Sequence, residues 1–424
     1  MLRNIFVIFS GTVLAQLINF AASPVLTRLY SPEAFGLLGL FLAGVSILST
    51  VASGRYEMAI MVPHEEAEAR TLLSLSCVLA LCFSVCIWLV SPLNDWIAAT
   101  AGSPGLAKLL PFLPVAVACA GIAGAMEYWL ARSKRFNAIA KSAVAAALVS
   151  SGLMLCGGLW GGNVLALLAG SIAMYLMRII WMSRSSNGPA AVQRYPSWNE
   201  LKVAARKHQD FPKYRSTQDF LNAISQNLPG LALGYFFGPV FVGYFWLANR
   251  VMMMPVGLVS ESVRKVYYQQ SSELLRNGKL LFPSLCKSTC ALAGIAFFPM
   301  AVAALYAKEL FALVFGEGWH AAGMLAQWMS IWVFFAFINV PAVVVLSTLG
   351  RLRFSLNFQI FSTTVRLFAV ALAAYVSNDE VVTIAAFSVT SAMLNFLLIL
   401  SAFWFCSDAD SRLLPYAKDG VPQN

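Results

Sequence analysis

Two arginines sit where a charge is costly. Residues 238–255 read GPVFVGYFWLANRVMMMP, an apolar run interrupted by Asn249 and Arg250. In a helical span over 241–259, Arg250 lies about 13 Å deep at about 1.5 Å per residue, close to the midplane of a hydrocarbon core about 30 Å thick. Arg366, in the apolar stretch 354–376, lies roughly 18 Å from the start of its span by the same rise. A charge at that depth costs roughly 2.5–3.5 kcal/mol on insertion scales and faces a wet cavity or a partner. The available acids, Glu57, Glu127 and Asp219, all fall near span ends. An anionic ligand would neutralise two deep guanidiniums more simply than those carboxylates, which leaves Glu127 and Asp219 as candidate proton or sodium sites.

Amides and hydroxyls recur at helical spacing within the apolar runs. Thr12, Gln16, Asn19 and Ser23 step by four, three and four, which places them on one face. Asp219, Asn222 and Gln226 repeat the device, ending at Pro229-Gly230, and Ser46, Ser49 and Ser53 lead into Arg55, Tyr56 and Glu57. Ser355, Gln359, Ser362 and Arg366 form a fourth stripe. Such faces either line a polar cavity or glue neighbouring helices through hydrogen bonds. Pro229, Pro255, Pro299 and Pro341 mark places where a span can kink or break.

The elements that carry these residues follow from composition. The chain of 424 residues is 59% hydrophobic and 11% charged, well below the roughly 25% charged of a soluble domain, which points to an all-α, polytopic membrane protein. Twelve segments are long and apolar enough to span: 5–26, 35–53, 72–90, 109–130, 143–160, 164–182, 220–237, 241–259, 282–306, 321–349, 354–376 and 381–404. The first is too long for a cleaved leader and reads as an uncleaved span. With the N-terminus inside, the cytoplasmic loops collect Arg55, Arg70, Arg132, Lys134, Arg135, Lys141 and the basic connection 183–216, while the opposite side keeps Arg28, Lys108 and Lys308. This bias puts both termini in the cytoplasm and accounts for the net charge of +10 without nucleic acid. The eight cysteines form no Cys-x-x-Cys pair and the three histidines are scattered, so neither disulfides nor a metal is expected. Walker, zinc-protease and nucleophile-elbow motifs are absent, and no cofactor is implied. The longest outer connection, 91–108, is short for a polysaccharide polymerase or ligase.

The one extended polar connection, with Asn187-Gly188-Pro189 and Tyr195-Pro196, divides the chain into a six-helix lobe over 1–183, a cytoplasmic linker over 184–216, a second six-helix lobe over 217–406 and a cytoplasmic tail over 407–424. An even number of spans per half predicts parallel repeats related by an axis along the membrane normal, with substrate handled between them. A local echo agrees with this. Pro32 precedes Gly36 at the entry to the second span, and Pro239 precedes Gly243, at the same spacing, at the entry to the eighth.

Four stretches carry a resemblance: Leu26–Gly36 (LTRLYSPEAFG), Gly54–Pro63 (GRYEMAIMVP) with its acidic Glu65–Glu68 turn, Asp210–Tyr214 through Asn222–Pro229 to Ala248-Asn249-Arg250, and Phe315–Trp319 (FGEGW). In order and placement the chain resembles the polysaccharide flippases of the multidrug/oligosaccharidyl-lipid/polysaccharide exporter superfamily. The resemblance implies a bacterial inner-membrane protein that moves an undecaprenyl-diphosphate-linked oligosaccharide to the periplasmic leaflet, by alternating access of two lobes around a cationic cavity. It carries arginine roles onto Arg28, Arg55 and Arg250. Arg366 is added from its depth alone. Guanidinium forks suit diphosphate oxygens, and the sugar would meet Gln16, Asn19, Asn222, Gln226 and Asn249. Membrane lipids and a polysaccharide polymerase or other assembly proteins are the expected neighbours. The competing expectations are a small-molecule antiporter of the same superfamily, which would favour cavity acids, a membrane polysaccharide enzyme, and a scaffold without transport.

Overall fold

A computed structural model describes residues 2–185 and 196–418 of the chain. The expected turn at Asn187-Gly188-Pro189 and the residue Tyr195 lie outside the described residues. The chain forms helices almost throughout: α1 (Leu2–Leu29), α2 (Pro32–Ala52), α3 (Tyr56–Ala59), α4 (Glu66–Leu89), α5 (Asn94–Thr100), α6 (Leu113–Arg132), α7 (Phe136–Leu159), α8 (Val164–Ser185), α9 (Trp198–Lys207), α10 (Thr217–Phe237), α11 (Pro239–Arg276), α12 (Phe282–Phe315), α13 (His320–Ile338), α14 (Val340–Thr348), α15 (Leu352–Ser377) and α16 (Glu380–Lys418). Among the described residues, ten helical segments are long and apolar enough to cross a membrane. The two remaining segments expected to span are also helical, as α1 and α10. In α10, Asp219, Asn222, Gln226 and Asn227 lower the hydropathy, although its 21 residues would still reach about 31 Å at the helical rise.

Several boundaries differ from the sequence expectation. The helix that carries the eighth span does not stop near Val259 but runs on as α11 to Arg276. The tenth is two helices, α13 and α14, broken at Asn339 beside Pro341, where a proline within the first turn starts a new helix readily. Pro229, Pro255 and Pro299, by contrast, lie inside helices that continue through them. The 91–108 connection folds into 3₁₀ turns around α5, burying Ala98, Ser103 and Leu106. The polar connection before α10 contains α9, opened by a reciprocal Ser197–Glu200 capping box.

The chain packs as two compact units, residues 1–246 and 247–424. In the first, α4 packs on α6, α6 on α8, α7 on α8 and α1 on α7, while α10 lies along α2. In the second, α12 packs on α13, α13 on α16 and α15 on α16. The pairings α4–α6, α6–α8 and α7–α8 of the first unit recur as α12–α13, α13–α16 and α15–α16 of the second, an internal repeat in topology. The second unit closes one end with a cap from another helix. Leu281 precedes α12 and has no capping side chain, and the buried Asp410 of α16 accepts from the Leu281 and Phe282 backbone N–H groups at 2.9 and 2.8 Å, satisfying donors the helix cannot pair itself.

The Pro-x-x-x-Gly echo has a spatial meaning within the first unit. A Cβ on Gly36 would lie 1.6 Å from the Pro239 carbonyl oxygen, and a Cβ on Gly243 would lie 2.0 Å from the Pro32 carbonyl oxygen. The starts of α2 and α11 therefore cross backbone to backbone, each glycine under the other's proline. That is the reciprocal pattern of a two-fold contact. Only glycine permits such an approach.

Candidate functional site

The polar centre of the first unit is built where α2 ends. Gly54 and Arg55 both adopt positive φ, with Arg55 at φ 59° and ψ 17°. A left-handed conformation costs an ordinary residue roughly 1–2 kcal/mol, and it turns the chain sharply into α3. Arg55 then stands between two carboxylates. Its Nη1 meets Glu57 Oε1 at 3.2 Å, and its buried Nε lies 3.0 Å from Asp219 Oδ2 as an ion pair, without hydrogen-bond alignment. The same Asp219 oxygen takes Arg215 Nε at 3.2 Å. The second Glu57 oxygen accepts a short hydrogen bond from Ser53 Oγ. Residues 53–57, a π-helical turn over Phe211–Ser216 and the first turn of α10 are thereby brought together.

The surroundings hold this turn firmly. Tyr56, Ala59 and Ile60 pack with Ala69, Leu72, Trp129, Leu201 and Ala204 in one apolar cluster. Tyr56 donates its hydroxyl to the Ala205 carbonyl at 3.0 Å, and burial pushes its phenol above the ordinary value. Arg132 donates to the Ile60 and Pro63 carbonyls at 2.8 and 2.6 Å, satisfying a loop that has no helical donors of its own. Lys207 and His208 at the end of α9 reach Glu68 of α4 at 2.7 and 2.9 Å. On the open side, the side chains of Arg55, Asp219 and Arg215 are 23%, 16% and 46% exposed while that of Glu57 is only 6%, so solutes reach the first three and not the last. Farther along α10, Asn222 and Gln226 are exposed. Asn227 instead ties α10 to α2 through Ser46 Oγ at 3.4 Å.

The other residues singled out in the sequence are dispersed. Of the α1 stripe, Thr12 is exposed and Gln16 half-buried, with Gln16 Oε1 buried and without a hydrogen-bond partner. Asn19 accepts from Ser151 of α7 at 3.1 Å and Ser23 bonds the Asn19 carbonyl, so this part of the stripe joins helices. Arg28 is exposed at the end of α1. Glu127 pairs with Arg178 of α8 at 2.5 Å. In the second unit, Asn249 and Arg250 are half-buried on α11, and Arg250 is engaged within the molecule. Arg366 is half-buried on α15. Its Nε is buried without a hydrogen-bond partner, as is the Oγ of Ser362 one turn earlier. The residue that sequence reading missed is Arg215. It counted only as one basic residue of a long connection, and its i,i+4 spacing to Asp219 was the available signal.

Residues 25–324 match the profile of a family described as polysaccharide biosynthesis protein. The succinoglycan biosynthesis transport protein ExoT of Rhizobium meliloti (strain 1021) is 23% identical over 319 residues, 73% of this chain and 62% of that protein. The chain thus matches 62% of the length of this relative. Among solved structures, the lipid II flippase MurJ in an inward closed conformation superposes with a TM-score of 0.70 at 12% identity, covering 100% of this chain and 94% of that one. An inward-facing multidrug resistance MATE family transporter of the MOP superfamily gives 0.66 at 12% identity, with 95% of each chain covered. A MOP superfamily transporter from Pyrococcus furiosus gives 0.57 at 14% identity, covering 97% and 96%. These likenesses establish the fold that the chain shares with these three proteins.

Proposed function

Because the chain belongs to the polysaccharide biosynthesis protein family, we propose that it is a flippase and not an enzyme, moving a lipid-linked oligosaccharide from the cytoplasmic to the outer leaflet of a bacterial inner membrane. The glycan carrier would be undecaprenyl diphosphate, and the product would feed O-antigen, capsule or exopolysaccharide assembly. Twelve spans in two six-helix lobes, with both termini cytoplasmic, would alternate access to a cationic cavity. The observation that carries this reading is the solvent-reachable Arg55 at the end of α2, next to the exposed amides Asn222 and Gln226 of α10. A planar guanidinium matches phosphate oxygens, and a ladder of amides suits sugar hydroxyls. Arg28, Arg250 and Arg366 are proposed as further cationic contacts for the carrier, and Gln16, Asn19 and Asn249 as further polar ones. An antiporter for organic cations would need available acids. Here Asp219 and Glu127 are each held by arginine, which also disfavours them as simple proton or sodium sites.

Proteoliposomes containing a fluorescent polyprenyl-diphosphate sugar test the reading. Purified protein should render the inner-leaflet probe accessible to an external reagent, and Arg250→Ala and Arg55→Gln should each lower the rate at least about tenfold, as loss of a charge-assisted phosphate contact implies, while leaving membrane insertion intact. Wild-type protein that leaves the probe in its leaflet, beside an active control flippase, would refute the assignment.

A further inference from the structure

One oxygen, Asp219 Oδ2, is held by two guanidiniums at once, Arg55 Nε at 3.0 Å and Arg215 Nε at 3.2 Å. The two arginines come from the turn after α2 and from the π-helical entry to α10. Convergent guanidiniums on a single oxygen are the arrangement that recognises a phosphoryl oxygen. The two carboxylates of the cluster also differ. Glu57 is buried and fixed through Ser53, so it serves as the permanent counter-ion. Asp219 stands on the open side with Arg55 and Arg215, where a solute can take its place. Glu127, the acid contributed by α6, is already paired with Arg178.

We propose that Asp219 is a resident stand-in for a phosphate oxygen, and that Arg55 and Arg215 form a binding site for a phosphate or diphosphate anion which displaces it. When the anion arrives, both guanidiniums transfer from the carboxylate to the ligand, and the Asp219 side chain is released. Asn222 and Gln226, about one and two turns along α10, then flank whatever group the phosphate carries. Identifying that group as the glycan of a lipid-linked diphosphate rests on the flippase reading, whereas the anion site itself does not. The resident carboxylate holds the cations in place without ligand and makes release reversible, since bound anion and carboxylate compete for the same donors.

Isothermal titration of inorganic pyrophosphate into the full chain, in nanodiscs of phosphatidylcholine, tests this. Asp219→Asn should tighten binding about tenfold, because the competent state no longer has to be reached by displacing a carboxylate. Arg215→Gln should weaken it about tenfold, and Arg215→Gln in the Asp219→Asn background should abolish the gain, a non-additivity that a purely structural role would not produce. Arg70→Gln, which breaks only an exposed pair with Glu66, should leave binding unchanged. Should Asp219→Asn fail to fold, Asp219→Ser carries the same expectation. Unchanged or weaker binding in a folded Asp219 variant, or unchanged binding in Arg215→Gln, overturns the proposal. Competition by geranylgeranyl diphosphate supports a diphosphate-lipid ligand, while loss of pyrophosphate binding in phosphatidylglycerol discs reassigns the site to bulk headgroups and overturns the diphosphate assignment. Wild-type protein without flipping but with the Asp219 effect leaves the anion site standing and removes the flippase reading, and flipping without the Asp219 effect does the reverse.

Discussion

The two ends of α2 are closed by opposite means. At its start, Gly36 lies against the Pro239 carbonyl and Gly243 against that of Pro32, a dry backbone contact with no room for a methyl group. Just past its end, Arg55 is tied to Asp219 of α10 by charge, in a setting that solvent reaches. A contact made of backbone and van der Waals fit can only be opened by separating helices. A contact made of ion pairs can be opened by exchanging one anion for another, with little net loss of Coulomb energy. α2 thus has a start, against α11, that only a separation of helices opens and an end, against α10, that exchange of one anion for another can unlock.

The largest effect is expected where the fit is tightest. Gly36→Ala puts a Cβ within 1.6 Å of a carbonyl oxygen, and because that atom belongs to backbone, the helices must part. Overpacking costs about 1–3 kcal/mol and occasionally more, and this site belongs at the upper end. Thermal unfolding in detergent should show a clear loss for Gly36→Ala and for Gly243→Ala. The double variant should be no worse than the poorer single one, since one methyl already separates the helices. Additive losses would mean that the two glycines do not share one contact.

The polar end should respond in the opposite manner. Arg215→Gln removes one partly exposed ion pair, worth about 0–1 kcal/mol, and leaves Asp219 paired with Arg55. Thermal stability should therefore stay within about 1 kcal/mol of wild type, while the transport proposed above falls about tenfold with the lost charge-assisted contact. A variant that unfolds early yet still transports would reverse the roles assigned to the two ends of α2.

How much of this was legible in the sequence follows the range of the forces involved. Among the described residues, ten of the twelve expected segments are long and apolar enough to span, since a span must present some 20 residues to lipid on its own account, and the other two are helical as α1 and α10. The overruns of α11 and α16 were not visible, since Ser260–Arg276 and 405–418 are broken by charged and polar residues and their helicity comes from continuing an existing helix, where propagation is easy. The short helices α3, α5 and α9 were missed because packing stabilises them: α9 buries Leu201 and Ala204 against α3 and α4. The spacing of Pro32-Gly36 and Pro239-Gly243 was readable, but that the two glycines touch was not. Arg55 and Asp219 lie far apart in the chain, and their pairing is a product of the turn at Gly54-Arg55. The spacing of four between Arg215 and Asp219 was readable too, but that Arg55 shares the same carboxylate oxygen was not.

The smallest effect sharpens the dry end further. Tyr30, just before α2, is 3% exposed, and its hydroxyl donates to the Met154 carbonyl of α7 at 2.6 Å. In the interior of α7 that carbonyl also has a helical donor, so Tyr30→Phe removes one of two bonds and leaves no orphan acceptor. The loss should fall at the low end of the roughly 0.5–1.5 kcal/mol typical of such a bond, and transport should be unchanged. The ring itself still fills the space beside Gly157 and Gly158, so its packing is kept. A Tyr30→Phe loss as large as that of Gly36→Ala would show that the dry end is held by a hydrogen bond and not by the fit of its backbones.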